Sequence, residues 1–217
     1  MRKAVLFDLD GTLLDTLQDL ATSGNEMLAN RGMPTHPVDA YRTFIGDGMA
    51  SLVQRIFPAD RCPDEVELEV ALQEYKAAYG RHWTDTTVPF EGISTLLDSL
   101  KAADIPIGVL SNKSHDFTLK CVEEFLSDWE WDIVLGARDG IPKKPDPAAA
   151  VEAAKATGCD PANCFFVGDS DVDILTGVNA GMHAIGVAWG FRSIEELTEA
   201  GAERVISAPG ELLDLLA

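Results

Sequence analysis

The sequence predicts an α/β fold: a Rossmann-like parallel sheet core carrying an inserted α-helical domain. Three observations point there. The apolar run Ala4-Val5-Leu6-Phe7 reads as a short buried strand. From about residue 88 onward, short β-rich runs alternate with helical patterns. Between them, residues 16–85 show helical periodicity and no convincing strand.

The later strand candidates are Ile105 to Leu110, Asp132 to Leu135, Cys164 to Val167, Ala184 to Val187 and Arg204 to Ile206. Among the intervening helices, Ile93, Leu96, Leu97 and Leu100 fall at i, i+3, i+4, i+7, and Ser193-x-x-Glu196 forms a capping box. In the insertion, Thr16 is expected to cap a helix carrying Leu17, Leu20, Ala21 and Leu28, stopped by Gly32 and Pro34. Met49, Leu52, Val53, Ile56 and Phe57 define a second helix ending at Pro58, and a third fills Asp64 to Tyr79. The expected boundaries are a core of residues 1–15 and 86–217 and a helical domain of 16–85. There is no internal repeat and no low-complexity stretch.

Hydrophobic residues make up 46% of the 217 positions and aromatics 7%, which suits a globular chain and excludes a disordered one. Seventeen Lys and Arg against 36 Asp and Glu give a net charge of −19. Such a surface repels phosphate backbones, and no basic patch offsets it, so nucleic acid is not an expected partner. No apolar stretch approaches the ~20 residues that span a bilayer. The first strand begins too early to leave room for a signal peptide, so the expectation is a cytoplasmic protein without a membrane partner. Cys62, Cys121, Cys159 and Cys164 show no CxxC pairing and read as buried free thiols. Composition assigns no oligomeric state.

The chemistry is expected at strand ends, because ligands of open parallel sheets bind outside the carboxyl ends of the strands. Asp8 and Asp10 follow the first strand with one leucine between them, so strand alternation can aim both at one pocket. Gly11 permits a sharp turn, and Thr12 offers a hydroxyl beside the pair. Two carboxylates this close call for a cation, a proton or both. Ser111-Asn112 follows a second strand and Gly168-Asp169 a third. Mg²⁺ binds one or two carboxylates plus waters and phosphate oxygens, a number that Asp8 and Asp169 supply. Asp173 shares a helix face with Asp169 and suits a place behind the metal, holding a bound water or a loop. Asp171 reads as helix N-terminal decoration. Lys143 or Lys144, in the stiff segment Pro142 to Pro147, is the candidate fixed cation, and helix N-termini after Ser111-Asn112 and Asp169 would add backbone donors. The four histidines match no ligand spacing. Neither a GxSxG elbow nor a GxGxxG loop after the first strand is present.

In order and placement these residues resemble the haloacid dehalogenase superfamily. DxDGT matches Asp8 to Thr12, the Ser or Thr of the second motif matches Ser111, the Lys of KPxP matches Lys144, and GDxxxD matches Gly168, Asp169 and Asp173. The resemblance implies Mg²⁺-dependent phosphoryl transfer through an aspartyl phosphate. Asp8 would be the nucleophile, and Asp10 the acid and base, with its backbone carbonyl on the metal. Thr12, Ser111, Asn112 and Lys144 would bind phosphate, and Asp169 would complete the metal site. Asp10 also implies a phosphatase or phosphomutase, since dehalogenases lack an acid there. Ser111-Asn112-Lys113 and Phe44 to Gly48 resemble phosphoglycolate phosphatases, and by that likeness Arg55 would contact a substrate carboxylate; a surface arginine is its plainer reading. The implied substrate is a small phosphorylated metabolite. The alternatives are a sugar phosphomutase of the β-phosphoglucomutase type and a non-catalytic phosphoacceptor domain.

Overall fold

A computed structural model describes residues 2–216, and the chain divides into two compact units. One runs to Leu14 and resumes at Pro89; the other is Asp15–Val88. The strands are β1 (Ala4–Phe7), β2 (Leu14–Asp15), β3 (Val88–Pro89), β4 (Ile107–Ser114), β5 (Ile133–Ala137), β6 (Cys164–Gly168), β7 (His183–Val187) and β8 (Arg204–Ile206). The helices are α1 (Leu17–Asn30), α2 (Tyr41–Phe44), α3 (Met49–Ile56), α4 (Glu65–His82), α5 (Ile93–Ala102), α6 (His115–Phe125), α7 (Ala148–Ala156), α8 (Asp171–Ala180), α9 (Ile194–Glu199) and α10 (Glu211–Leu216). None among the described residues is long and apolar enough to cross a membrane.

The larger unit holds a six-stranded sheet in the order β5-β4-β1-β6-β7-β8, parallel throughout. All four residues of β1 are buried, as a central parallel strand covered on both faces requires. On one face Ala4 and Leu6, two residues apart, pack with Leu110, Leu135 and Phe166 against Ala149, Ala150, Ala153 and Ala154 of α7. The alanines carry no bulk, so α7 can lie close to the sheet. Because β1 sits between β4 and β6, the chain reverses direction across the sheet there, and polar residues at those three carboxyl ends converge.

The smaller unit is helical. Leu17, Leu20, Ala21, Met27 and Leu28 of α1 are buried, as are Leu52, Val53 and Ile56 of α3 and Ala71, Tyr75, Ala78 and Tyr79 of α4. Thr16 does not cap α1 with its side chain; the Asp15 carboxylate accepts from Leu17 N at 3.3 Å instead. Buried Asp19 ties α1 to the returning chain. Its oxygens accept from the backbone and hydroxyls of both Thr86 and Thr87, at 2.6–3.1 Å. Cys62 is exposed, unlike the other three thiols, so the expectation of burial fails there.

Two consequences are measurable. Asp19→Ala strands four donors, two of them backbone, and is expected to cost about 3 kcal/mol in a denaturant titration. His82 lies between Asp85 at 2.7 Å and Glu26 at 2.8 Å, and hydrogen bonds to these carboxylates, Asp85 first, raise its pKa. A raised folded value means that this stabilisation is complete below the unfolded pKa of about 6.5 and is lost as pH rises through the folded one. The wild-type melting temperature should therefore fall more between about pH 6 and pH 9 than that of His82→Gln.

Candidate active site

β1 stops at Phe7, so alternation along a strand orients Asp8 alone. Asp8 continues the sheet by donating its N–H to Val167 O at 2.9 Å. Asp10 is placed by a tight loop in which Thr12, Leu13 and Leu14 all donate to Leu9 O, at 3.0–3.3 Å. Gly11 has φ +91°, and a Cβ there would overlap the Asp169 carboxylate. Thr12 is fully buried; its hydroxyl donates to Asp169 Oδ1 at 3.4 Å, and its carbonyl accepts from Trp189 Nε1 at 3.0 Å.

Ser111 and Asn112 do not follow a strand that ends at Leu110. They lie inside β4, which continues to Ser114 through a bulge: Leu110 pairs with Leu135 and Ser114 with Ala137, so three residues oppose Gly136 alone. A Cβ at Gly136 would come within 2.7 Å of Lys113 O, which is why the bulge needs glycine there. With alternation suspended, each residue of the triplet takes its own task. The Ser111 hydroxyl accepts from Lys113 N at 3.2 Å. The Asn112 amide meets Lys144 at both ends, donating to Lys144 O at 3.1 Å and accepting from Lys144 N at 2.9 Å. Asn112 therefore clamps the Lys144 loop. Lys113 extends to Asp10, at 2.9 and 3.0 Å from its two oxygens.

At the end of β6, Asp169 Oδ2 accepts from Phe191 N at 2.7 Å. Gly190 lies so close that a Cβ would overlap Asp169. Asp173 and Ser170 form the capping box of α8, with the Ser170 hydroxyl donating to Asp173 Oδ2 at 2.6 Å. The box takes Asp173 N, one of the helix donors expected for an anion. α6 starts at His115, beyond Ser114, so its N-terminus does not directly follow Asn112. Asp171 is exposed, as expected of helix decoration, and of the two loop lysines Lys143 is exposed while Lys144 is buried. Lys144 Nζ lies 2.6 Å from both Asp8 Oδ1 and Asp173 Oδ1. Arg55 belongs to the helical unit, where its guanidinium bonds the Asp47 carboxylate and, at 3.1 Å, Phe44 O.

Four carboxylates here meet two ammonium groups. Burial pushes the Asp8 carboxyl up to about 7, and the Asp173 charge adds to that, against the pull of Lys144. Burial, then Asp173 and Asp8, also raise Asp169 well above the carboxylate range, opposed by the Phe191 amide and a weaker attraction from Arg192. Burial alone would lower Lys144, but Asp173 and Asp8 outweigh it and hold the ammonium charged. Asp8, Asp169 and Asp173 offer oxygens within 4.8 Å of one another. Asp173 is taken up by the Lys144 ammonium on one oxygen and by the α8 cap on the other. Asp169 instead meets neutral donors, the Thr12 hydroxyl and the Phe191 amide, and Asp8 meets Lys144 through Oδ1, so Asp8 and Asp169 are the pair best able to hold a hard divalent cation.

Sequence reasoning valued Lys113 as part of a resemblance and assigned it no contact. Its signal was a lysine adjoining two candidate site residues. Trp189 and Gly190 were missed as well; a Trp-Gly pair just beyond a strand's carboxyl end was the available clue.

Known proteins carry the same arrangement of chain. A model for the haloacid dehalogenase-like hydrolases matches residues 5–187. A phosphoglycolate phosphatase of Neisseria meningitidis is 35% identical, over 93% of this chain and 87% of its own length. An N-acetylmuramic acid 6-phosphate phosphatase of Pseudomonas aeruginosa is 33% identical, over 99% of this chain and 94% of its own. A crystal structure from Lactobacillus delbrueckii subsp. bulgaricus, provisionally assigned as a phosphoglycolate phosphatase, aligns at a TM-score of 0.91 with 30% identity, over 100% of this chain and 99% of its own. With the family model matching most of its length, this chain belongs to the haloacid dehalogenase-like hydrolases.

Proposed function

We propose that this phosphatase hydrolyses a small phosphomonoester in the cytoplasm, with 2-phosphoglycolate as the leading substrate, by transferring the phosphoryl group to Asp8. The observation that carries this reading is the pair of aspartates after β1, each faced by a different buried lysine: Lys144, shared with Asp173, on Asp8, and Lys113 on Asp10. Asp8, Asp169 and the Asp10 carbonyl would hold Mg²⁺, whose charge lets an anionic carboxylate approach an anionic phosphate.

The residues divide the reaction as follows. An Asp8 oxygen bonds to phosphorus while the ester P–O bond breaks, and Asp10 gives its proton to the departing alkoxide. Asp10 then takes a proton from water as the water oxygen bonds to phosphorus and the Asp8–phosphorus bond breaks. Orthophosphate and the alcohol leave, and both aspartates return to their starting states. Lys144 would keep Asp8 in place, as its 2.6 Å contact supports, and with Ser111 and Thr12 it would hold the phosphoryl oxygens. The helical unit would serve as a cap, and Arg55 as a contact for a substrate carboxylate. The phosphoglycolate choice rests on the Neisseria relative. A sugar 6-phosphate is the second reading, favoured by the Pseudomonas relative at similar identity.

The test is phosphate release by the purified chain with Mg²⁺ from 2-phosphoglycolate, N-acetylmuramic acid 6-phosphate, p-nitrophenyl phosphate and nucleoside monophosphates. The highest kcat/KM is expected for 2-phosphoglycolate, with turnover abolished by EDTA and restored by Mg²⁺. Asp8→Asn should lower kcat by roughly 10³-fold or more, as loss of a covalent nucleophile does. Full activity in that variant would rule out the covalent route.

A further inference from the structure

Lys113 has no part in the reaction as written above, yet its setting is costly. Its side chain is 2% exposed and its ammonium contacts both oxygens of Asp10, whose own side chain is 13% exposed. A lysine is seldom buried unless paired, and a neutral chain would fill the space at less cost. The backbone is held as firmly as the side chain. Lys113 N donates to Ser111 Oγ at 3.2 Å, Lys113 O accepts from Thr118 Oγ1 at 3.3 Å, and the whole segment is the bulge opposite Gly136. That bulge interrupts the strand alternation around Lys113.

We propose that Lys113 is the positioning residue for the acid and base Asp10: its ammonium, in contact with both oxygens here, fixes the carboxylate's plane and rotamer, and during the reaction it keeps one oxygen while releasing the other to exchange a proton with the leaving group or water. The inference rests on the reading of Asp10 as acid and base given above. A carboxyl free to rotate would spend most of its time misaligned, and proton transfer needs hydrogen-bond alignment in the transition state. Because Lys113 acts through Asp10, its loss must be felt where a proton is needed and less where it is not. A purely structural ion pair makes no such distinction.

The experiment compares kcat/KM for p-nitrophenyl, phenyl and p-methoxyphenyl phosphate in wild type, Lys113→Met, Lys113→Arg and Asp10→Asn. p-Nitrophenolate leaves as a stable anion, whereas the more basic phenolates depend increasingly on an acid. Lys113→Met should lose at least about tenfold more on p-methoxyphenyl than on p-nitrophenyl phosphate, part of the 10²–10⁴-fold that general acid catalysis supplies. Lys113→Arg, which keeps the charge, should recover most of the wild-type slope, and Asp10→Asn should give the steepest. If Lys113→Met does not fold, Lys113→Gln carries the same expectation. A loss equal across the three esters, or no loss, overturns the inference if Asp10→Asn remains steep. If Asp10→Asn is itself flat, the acid role of Asp10 fails and the inference falls with it.

Discussion

Everything at the carboxyl edge of the sheet answers to one constraint: Asp8, Asp10, Asp169 and Asp173 crowd together with two ammonium groups among them. Each carboxylate taken from water loses hydration that only a partner can replace. Lys113 satisfies Asp10, and Lys144 is divided between Asp8 and Asp173. The shortfall falls on Asp8 and Asp169, the two groups whose pKa is driven upward first by burial. On the proposed reading a divalent cation would offset the carboxylates, and Lys144 would keep a fixed positive charge for the phosphate. The net charge of −19 makes any such local positive charge more important to the proposed anionic substrate.

The scaffold serves the constraint by clearing space and by suspending regularity. Gly11 and Gly190 approach Asp169 from two loops where any side chain would collide with it, and Gly168 gives the same clearance to Asp173. The bulge in β4 turns three consecutive residues to separate tasks, which a regular strand cannot do. Ser170 and Asp173 cap α8 with side chains that also belong to the site, so helix start and charge placement are one feature. Stability and function are therefore coupled here in a way they are not around Asp19, whose hydrogen bonds all lie within the helical unit.

Much of the fold was legible because its signals are local. Runs such as Ala4 to Phe7, the spacing of Leu96, Leu97 and Leu100, and the Ser193–Glu196 box each declare themselves within a few residues. The end of β4 was misjudged for a physical reason: Ser111-Asn112-Lys113 has turn-like composition, and only pairing with β5 and the gap at Gly136 carries the strand through it. Thr16 looked like a cap, but Asp15 is the residue that accepts from the helix amide. The acidic members of the site could be named from strand ends. Their partners could not, because the Lys113–Asp10 contact spans 103 residues of chain, and the contact of Asn112 with the Lys144 backbone spans 32.

The central claim is that the buried carboxylates are incomplete without a divalent cation, and thermal unfolding tests it directly. Metal-stripped protein is melted at pH 7.5 as Mg²⁺ is added, alongside Asp169→Asn. At a hundredfold excess over Kd, binding to the folded state alone is worth about 2.7 kcal/mol, or roughly 5–10 °C for a chain of this size. The account predicts that rise in the wild type, and in Asp169→Asn a higher starting melting temperature with little response to Mg²⁺. A wild-type melting temperature indifferent to Mg²⁺, or an equal shift in the variant, would contradict it.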